Sequence, residues 1–527
     1  MRWNAKTGFA GFAGHAKSLA IAAALAMTLT TTAQAETVLK IRPQSDLRVL
    51  DPITTSAHET RNHGYLIYDT LFASDSKGAI QPQMVDSYTV SEDGLTWKFT
   101  LRDGLKFHDD TPVTSEDVIA SLKRWGERDN FGQQLMSRAV SLTADDAKTF
   151  TLVLKEGWAL VLEALGKPST LVPFIMPARI AATPSTEAIS DPIGSGPFMM
   201  VREEWVPGAK VVYKKAPTYV PRKEAPDGLS GAKIANVDRI EWHIIADHQA
   251  ALNALQAGEI DIYEEIPAEL IPVVKENQNV AIERLNRAQV MLRMNQLQPP
   301  FDNQKLRQAL LYLFDPMQIL PAYTDDDSFY RACPSFYMCD SPFFTDVEWP
   351  KPDSEKAKQL IKESSYNGET IALMDPIDVA VSPLAKIVSQ MMSDAGLNVD
   401  HQGQDWASIV QRRSSKKPVS EGGWSAWVGN PGAFDMWDPA THLGLRSNGE
   451  AGWFGWPKDD EIENLRAEFT KELDLEKRKE IARQIQLRAL ETVPYIPIGE
   501  FDLLRAINKE LQGVIVYDVP VYWNISK

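Results

Sequence analysis

Leu95 to Arg102 (Leu-Thr-Trp-Lys-Phe-Thr-Leu-Arg) puts Trp97, Phe99 and Leu101 on one side of an extended chain and Thr96, Lys98, Thr100 and Arg102 on the other. A period of two predicts a strand with one buried and one wet face. Asp103-Gly104 turns the chain and Leu105-Lys106-Phe107 begins a return. Thr114 then caps a helix, with Asp117 three positions on as its reciprocal partner and Val118, Leu122 and Trp125 as its apolar stripe. A strand, a tight turn and a capped helix in so short a span commit this region to mixed structure.

The alternation recurs along the chain. Thr37 to Arg42 is strand-like, followed by a loop bearing Thr54, Thr55, Ser56, His58 and Glu59 and a helix through Tyr65, Ile67, Tyr68 and Leu71. Ile193-Gly-Ser-Gly-Pro-Phe198 is a turn into a strand that continues through Tyr213. Ile240 to Ile245 is another strand, and Gln249 to Ala257 is a helix stopped by Gly258. Asp302 caps an amphipathic helix through Phe314, and helices follow from Ser354 to Glu363 and from Ser382 to Gly396. Two charged helices cover 460–470 and 475–491, and strand-like segments at Tyr495 to Ile498 and Gly513 to Tyr517 close the chain. Strands alternating with helices indicate α/β lobes, and lobes without a Gly/Ser tether are joined by direct crossovers that can hinge.

The first 35 residues carry Arg2, Lys6 and Lys17 and no acid, then an apolar run from Leu19 to Leu29 and Ala33-Gln34-Ala35. The run is about half the roughly 20 residues a spanning helix needs, so the segment is expected to be a signal peptide cleaved after Ala35. Removal of those three basic residues leaves 52 Lys+Arg against 71 Asp+Glu, a formal charge of −19. Such a balance excludes phosphate backbones as partners, and no later apolar run is long enough to span a membrane. Arg412-Arg413-Ser-Ser-Lys416-Lys417, the one basic cluster, reads as a solvated surface turn.

Cys333 and Cys339, the only cysteines, are expected to form a local disulfide in an oxidising compartment. Glu421 to Pro457 packs five tryptophans among glycines, asparagines and aspartates. Flat apolar walls beside short polar side chains suit a pocket, although a tryptophan-rich core edge has the same composition. From this stretch Trp427 and Trp437 are candidate walls, and Asn430, Asp435 and Asp438 are candidate polar contacts. Arg331 and Tyr337 are candidates for a ligand carboxylate, and Thr55 and His58 for a contribution from the opposite side.

Gln81-Pro-Gln-Met-Val-Asp-Ser-Tyr, continuing through Ser91-Glu-Asp-Gly-Leu-Thr-Trp-Lys-Phe to Asp117-Val118, closely resembles the signature of the large peptide/nickel-type periplasmic solute-binding proteins. Tyr68-Asp-Thr-Leu71, Gly194-Ser-Gly-Pro-Phe198, Leu255-Gln-Ala-Gly-Glu-Ile-Asp261 and Phe301-Asp-Asn-Gln-Lys-Leu-Arg-Gln-Ala-Leu310 match in the expected order, so the resemblance spans the mature chain. It implies an α/β clamshell of two lobes and three domains with a two-crossover hinge near Arg293 and Pro497. Lobe 1 would combine a discontinuous domain (36–80, 193–292 and 498–527) with an inserted domain (81–192), and lobe 2 would be 293–497. The implied activity is capture of a small solute, a peptide, opine or amino-acid conjugate, by a periplasmic monomer without cofactor or catalysis. Delivery would be to an inner-membrane ABC permease with its ATPase. In peptide-binding relatives an aspartate after the tryptophan-glycine pattern meets the ligand's amino group, and here Asn430 holds that place. An amide cannot neutralise a buried ammonium, so an ordinary peptide anchor is missing unless Asp435 or Asp438 supplies it.

Two other functions fit parts of the composition. Tryptophans beside carboxylates also suit a secreted carbohydrate-active hydrolase, with Asp435 and Asp438 as the acids. A metal- or haem-binding receptor would use histidines, but His58/His63 and His243/His248 are five apart and do not share a helical face.

Overall fold

Two long strands, Val280–Met294 and Ile496–Asn508, form the spine of the protein. They pair antiparallel through twelve register positions, from Val280↔Asn508 to Leu292↔Ile496, with register shifts between Arg284 and Asn286 and between Val290 and Met291. Ile496–Asn508 is buried along nearly its whole length, and Val280–Met294 from Leu285 onward apart from Arg287. Burial on both faces is why neither shows a clean alternation. The computed structural model describes residue 8 and residues 36–527 apart from 159, 325 and 473; the expected signal peptide lies outside the described residues save that one position.

An eleven-stranded sheet is built on the spine. On one side lie Ile262–Tyr263, Val38–Arg42, Arg239–His243, Lys210–Lys215 and Phe198–Met200, in that order outward; on the other lie Ala426–Gly429, Ile371–Pro376 and Val399–Gln404, and the short strand Tyr330–Arg331 pairs with Ile496–Asn508 off this path. Val38–Arg42 is parallel to both its neighbours, and Ile371–Pro376 is parallel to Ala426–Gly429 and to Val399–Gln404. Helices cover these parallel strands, as such sheets require. Residues Val38–Lys527 form one unit by their contacts, and no helix among the described residues is long and apolar enough to cross a membrane.

A separate four-stranded antiparallel sheet, in the order Val85–Val90, Thr96–Leu101, Thr149–Leu154 and Ala139–Ala144, holds the alternating segment. Phe99 and Leu101 are buried there, and Phe99 stacks on Phe150 at 5.0 Å between centroids. The reciprocal cap of Thr114 and Asp117 forms as the spacing predicts. Leu105 to Phe107 makes no return strand; its place beside Thr96–Leu101 is taken by Thr149–Leu154, and Lys106 makes only an isolated bridge to Pro112. Three further boundaries differ from expectation. Helix His58–Ile67 begins inside the segment read as loop, Asn303 caps the next amphipathic helix in place of Asp302, and Gly513 to Tyr517 forms no strand.

Candidate functional site

The tryptophan stretch enters the sheet as Ala426–Gly429, beside the spine, and leaves it as a loop that crosses to the other half of the molecule. Arg293 holds the stretch in place from below. Its buried guanidinium donates to the carbonyl oxygens of Phe454 (2.6 Å), Gly444 (2.9 Å), Pro494 (3.1 Å) and Trp453 (3.4 Å). Gly455, at φ +97°, lets the chain pass; a Cβ there would lie 2.6 Å from Arg293 Nε. Trp424 and Trp456 pack into the core, whereas Trp427 and Trp453 meet edge to face at 5.8 Å and stand over a cavity.

That cavity, about 40 Å³, is lined by Gln44, Ser56 and His58 from early in the chain and by Trp406, Arg413, Trp427, Asn430, Asp435 and Trp453 from far along it. His58 Nε2 lies 3.3 Å from Asp435 Oδ2 across the gap, in the first turn of helix His58–Ile67. Burial alone would raise the Asp435 carboxyl; the His58 hydrogen bond and the nearby His58 and Arg61 charges outweigh it and hold it below the usual carboxylate range. Its Oδ1 has no partner within hydrogen-bond distance. Burial and the Arg61 charge lower the His58 pKa against the pull of Asp435. Glu59, next in the helix, is buried with Oε1 unpartnered, and burial pushes its carboxyl up to about 7.

Arg413 is 2 % exposed, so it departs from the solvated turn that the basic cluster's composition suggests, whereas Lys416 and Lys417 are exposed as expected. Its guanidinium lies 4.8 Å from the Phe454 ring centroid, 5.1 Å from Trp406 and 5.5 Å from Trp427. The aromatic quadrupoles offset part of the cost of burying it, and burial still lowers its pKa to about 10. Nη2 donates to Ser56 Oγ at 3.1 Å, a second contact across the gap.

Beyond the 3-10 turn Ala433–Met436 lies a larger cavity of about 870 Å³. Trp437, Phe434 and Tyr517 supply aromatic walls, and Glu163, Asp518 and Arg478 are charged groups facing the same space. Burial raises Glu163 and pushes Asp518 up to about 6. Its volume is within the range of sites that enclose a drug-sized molecule. Asn130 Nδ2 donates to Ala440 O at 2.7 Å and Arg446 Nη2 to Gln133 Oε1 at 3.0 Å, so contacts between residues more than 300 positions apart border this flank also.

The structure brings Trp427, Asn430, Asp435 and His58 to the small cavity and Trp437 and Asp438 to the large one. Asp438 is committed to its own turn, accepting from Ala440 N, Thr441 N and Thr441 Oγ1, which leaves it poorly placed as one of a pair of catalytic acids. Thr55 lines neither cavity and its hydroxyl accepts from Ala57 N. Arg331 is not offered to a ligand carboxylate: Glu500 at 2.6 Å and Asp340 at 2.8 Å already occupy it. Tyr337 is fully buried, with its hydroxyl on Ala482 O, because the cysteine loop folds into the core. Cys333 and Cys339 form a disulfide. Among the described residues that pair and Glu500 make the one cluster of possible metal ligands, and its sulfurs are already bonded to each other. His63 is buried against Tyr213 OH, and His243 meets Glu241.

Residues 79–442 match the bacterial extracellular solute-binding proteins, family 5, over their middle region. The chain belongs to that family. A family 5 protein from Sinorhizobium fredii, a probable peptide ABC transporter periplasmic-binding protein y4tO, is 39% identical over 527 residues, covering 98% of each chain. The glutathione-binding protein GsiB of Escherichia coli is 26% identical over 94% of each. Among solved family 5 folds, the binding protein AgaA with agropinic acid from A. tumefaciens superposes with a TM-score of 0.78 at 23% identity, covering 93% of this chain and 98% of that one. A dipeptide-binding protein from a Pseudoalteromonas species, in complex with Met-Leu, gives 0.79 at 19% identity and covers 93% and 100%. The fold is therefore the two-lobed one of periplasmic binding proteins, and the chain is a family 5 solute-binding protein of an ABC importer.

Proposed function

We propose that this protein is a periplasmic receptor that closes on an amino-acid-derived solute, a peptide, an opine or an amino-acid conjugate, and hands it to an inner-membrane permease with its ATPase. The observation that carries the reading is the meeting of Ser56 and His58 from one half with Asp435 and Arg413 from the other in a single gap. Charged groups are buried at such cost only where partners or a ligand compensate them. Groups drawn from both halves assemble only when the halves close, so closure and capture are one event and the permease can tell a filled receptor from an empty one.

The relatives named for peptides and glutathione, and the folds solved with agropinic acid and Met-Leu, share amino-acid-derived ligands. On this reading the protein is exported by the leader cleaved after Ala35, acts as a monomer and binds without turnover. Lobe 1 is 36–80, 193–292 and 498–527 with 81–192 inserted, lobe 2 is 293–497, and the spine strands serve as the hinge. Native mass spectrometry of freshly purified mature protein tests it. One retained solute of low mass is expected; a clean unliganded mass, with no thermal shift from peptides, opines or amino-acid conjugates, refutes it.

A further inference from the structure

Arg413 presents a cation that the fold has not finished pairing. A guanidinium carries five N–H donors in one plane. Of these, one hydrogen bond is made, from Nη2 to the neutral Ser56 hydroxyl, and Nε has no acceptor. Among the described residues no ion pair brings a carboxylate oxygen within 4.0 Å of it, although the side chain is 2 % exposed. Arg293, the other deeply buried arginine of this region, shows what completion looks like, with four carbonyl oxygens around it. The faces of Arg413 are covered by Trp406, Trp427 and Phe454, which leaves an approach in the guanidinium plane, through the small cavity it lines with Trp427 and Trp453. A planar carboxylate can enter that way and bond two parallel N–H groups. In the same cavity Asp435 offers an unpartnered oxygen, an acceptor for an N–H donor.

Resting on the receptor reading above, we propose that Arg413 is the carboxylate anchor of the solute, and that the cleft selects compounds whose free carboxylate lies beside an amine or amide N–H received by Asp435. The family's amine-binding position is held by Asn430, so this arrangement orients the solute by its acid group first. Arg413 is a specificity-determining residue in this account, and the aromatic cage rejects a neutral amide because the guanidinium would stay without a counter-charge.

The test is titration calorimetry at pH 7 with glutathione and Met-Leu, each as the free acid and with single carboxylates converted to carboxamides, and with inorganic phosphate as a tetrahedral anion. At least one free acid is expected to bind with one-to-one stoichiometry and its carboxamide about 100-fold more weakly, the scale for leaving a buried charge unpaired. Arg413→Gln is expected to bring the acid down to the affinity of the amide and to leave the amide unchanged. Arg413→Lys, which keeps charge but not the planar fork, should fall between. The acid-amide comparison on the unaltered protein stands even if a variant fails to fold. Equal binding of acid and amide, unchanged discrimination in Arg413→Gln, or phosphate displacing the acids at equal concentration overturns the Arg413 assignment while the receptor reading survives. Absence of heat with both compounds overturns the amino-acid-derived class on which the two rest.

Discussion

Replacing Arg293 by methionine tests whether the tryptophan stretch is pinned from below as the structure indicates. Two opposed effects set the size of the change. Of the four carbonyl oxygens, Trp453 O keeps Trp456 N–H and Pro494 O keeps Gln296 Nε2, so those of Phe454 and Gly444 lose their donor, and at about 2 kcal/mol for each buried group left unsatisfied that costs roughly 4 kcal/mol. Against it, burial lowers the Arg293 pKa from 12.5 to about 9, and at about 1.4 kcal/mol per unit, removing the buried charge returns roughly 5 kcal/mol. The two effects nearly cancel, and Arg293→Met is expected to lie within about 2 kcal/mol of the unaltered protein, a small part of the roughly 5–15 kcal/mol that holds a domain folded. Urea unfolding at pH 7, followed by tryptophan fluorescence and circular dichroism, measures it. Solute affinity should fall as well, since Trp453, whose carbonyl Arg293 binds, donates its indole N–H to Ser56 at the cleft. A loss above about 4 kcal/mol, or intact affinity in a folded variant, would falsify the pinning argument.

Glu59 and Glu265, both raised by burial to about 7 and about 8, bind more protons in the folded state than in the unfolded one between the ordinary glutamate range and pH 8. Their contribution to stability should therefore fall as pH rises from 5 to 8, opposed below the ordinary histidine range by the lowered His63, His108 and His442; the stability difference between the unaltered protein and Glu59→Gln in urea titrations should fall across that range, an unchanged or rising difference counting against it, and Asp378, Arg61, Glu264 and Arg413 are the charges that face Glu59. Removing one partner of the fully buried Lys233–Asp69 pair, 2.8 Å apart, by Lys233→Met should cost about 3–5 kcal/mol in the same assay. Reduction of Cys333–Cys339 should cost about 2 kcal/mol, since its sequence separation is only 6, and no change in the urea midpoint under dithiothreitol would contradict it.

Segments with strong local signals were legible in the sequence. Thr96–Leu101, the Thr114/Asp117 cap and the stop at Gly258 depend on neighbours within a few residues. The misread positions depend on distant ones. Thr149–Leu154 displaces Leu105 to Phe107 as a strand partner through pairing across some fifty residues. Arg331 looks available until Glu500, 169 residues away, occupies it. Arg413 sits in a locally hydrophilic run and is buried only because the sheet brings Trp406, Trp427 and Phe454 around it. The single signal that could have marked it is its spacing from the tryptophans, which has meaning only once the strand Ala426–Gly429 is placed.

The spine also decides how this molecule would come apart. Twelve backbone pairings run between Val280–Met294 and Ile496–Asn508, and each strand also pairs with neighbours on its own side of the sheet. No exposed tether joins the two ends. A protease can nick surface loops such as 367–370, but the fragments stay laced together by the ladder, and a denaturing gel would show pieces where a sizing column still shows one particle. The backbone amides of the spine should be the last to exchange with heavy water, and their exchange should report collapse of the whole protein, not the opening of its jaws.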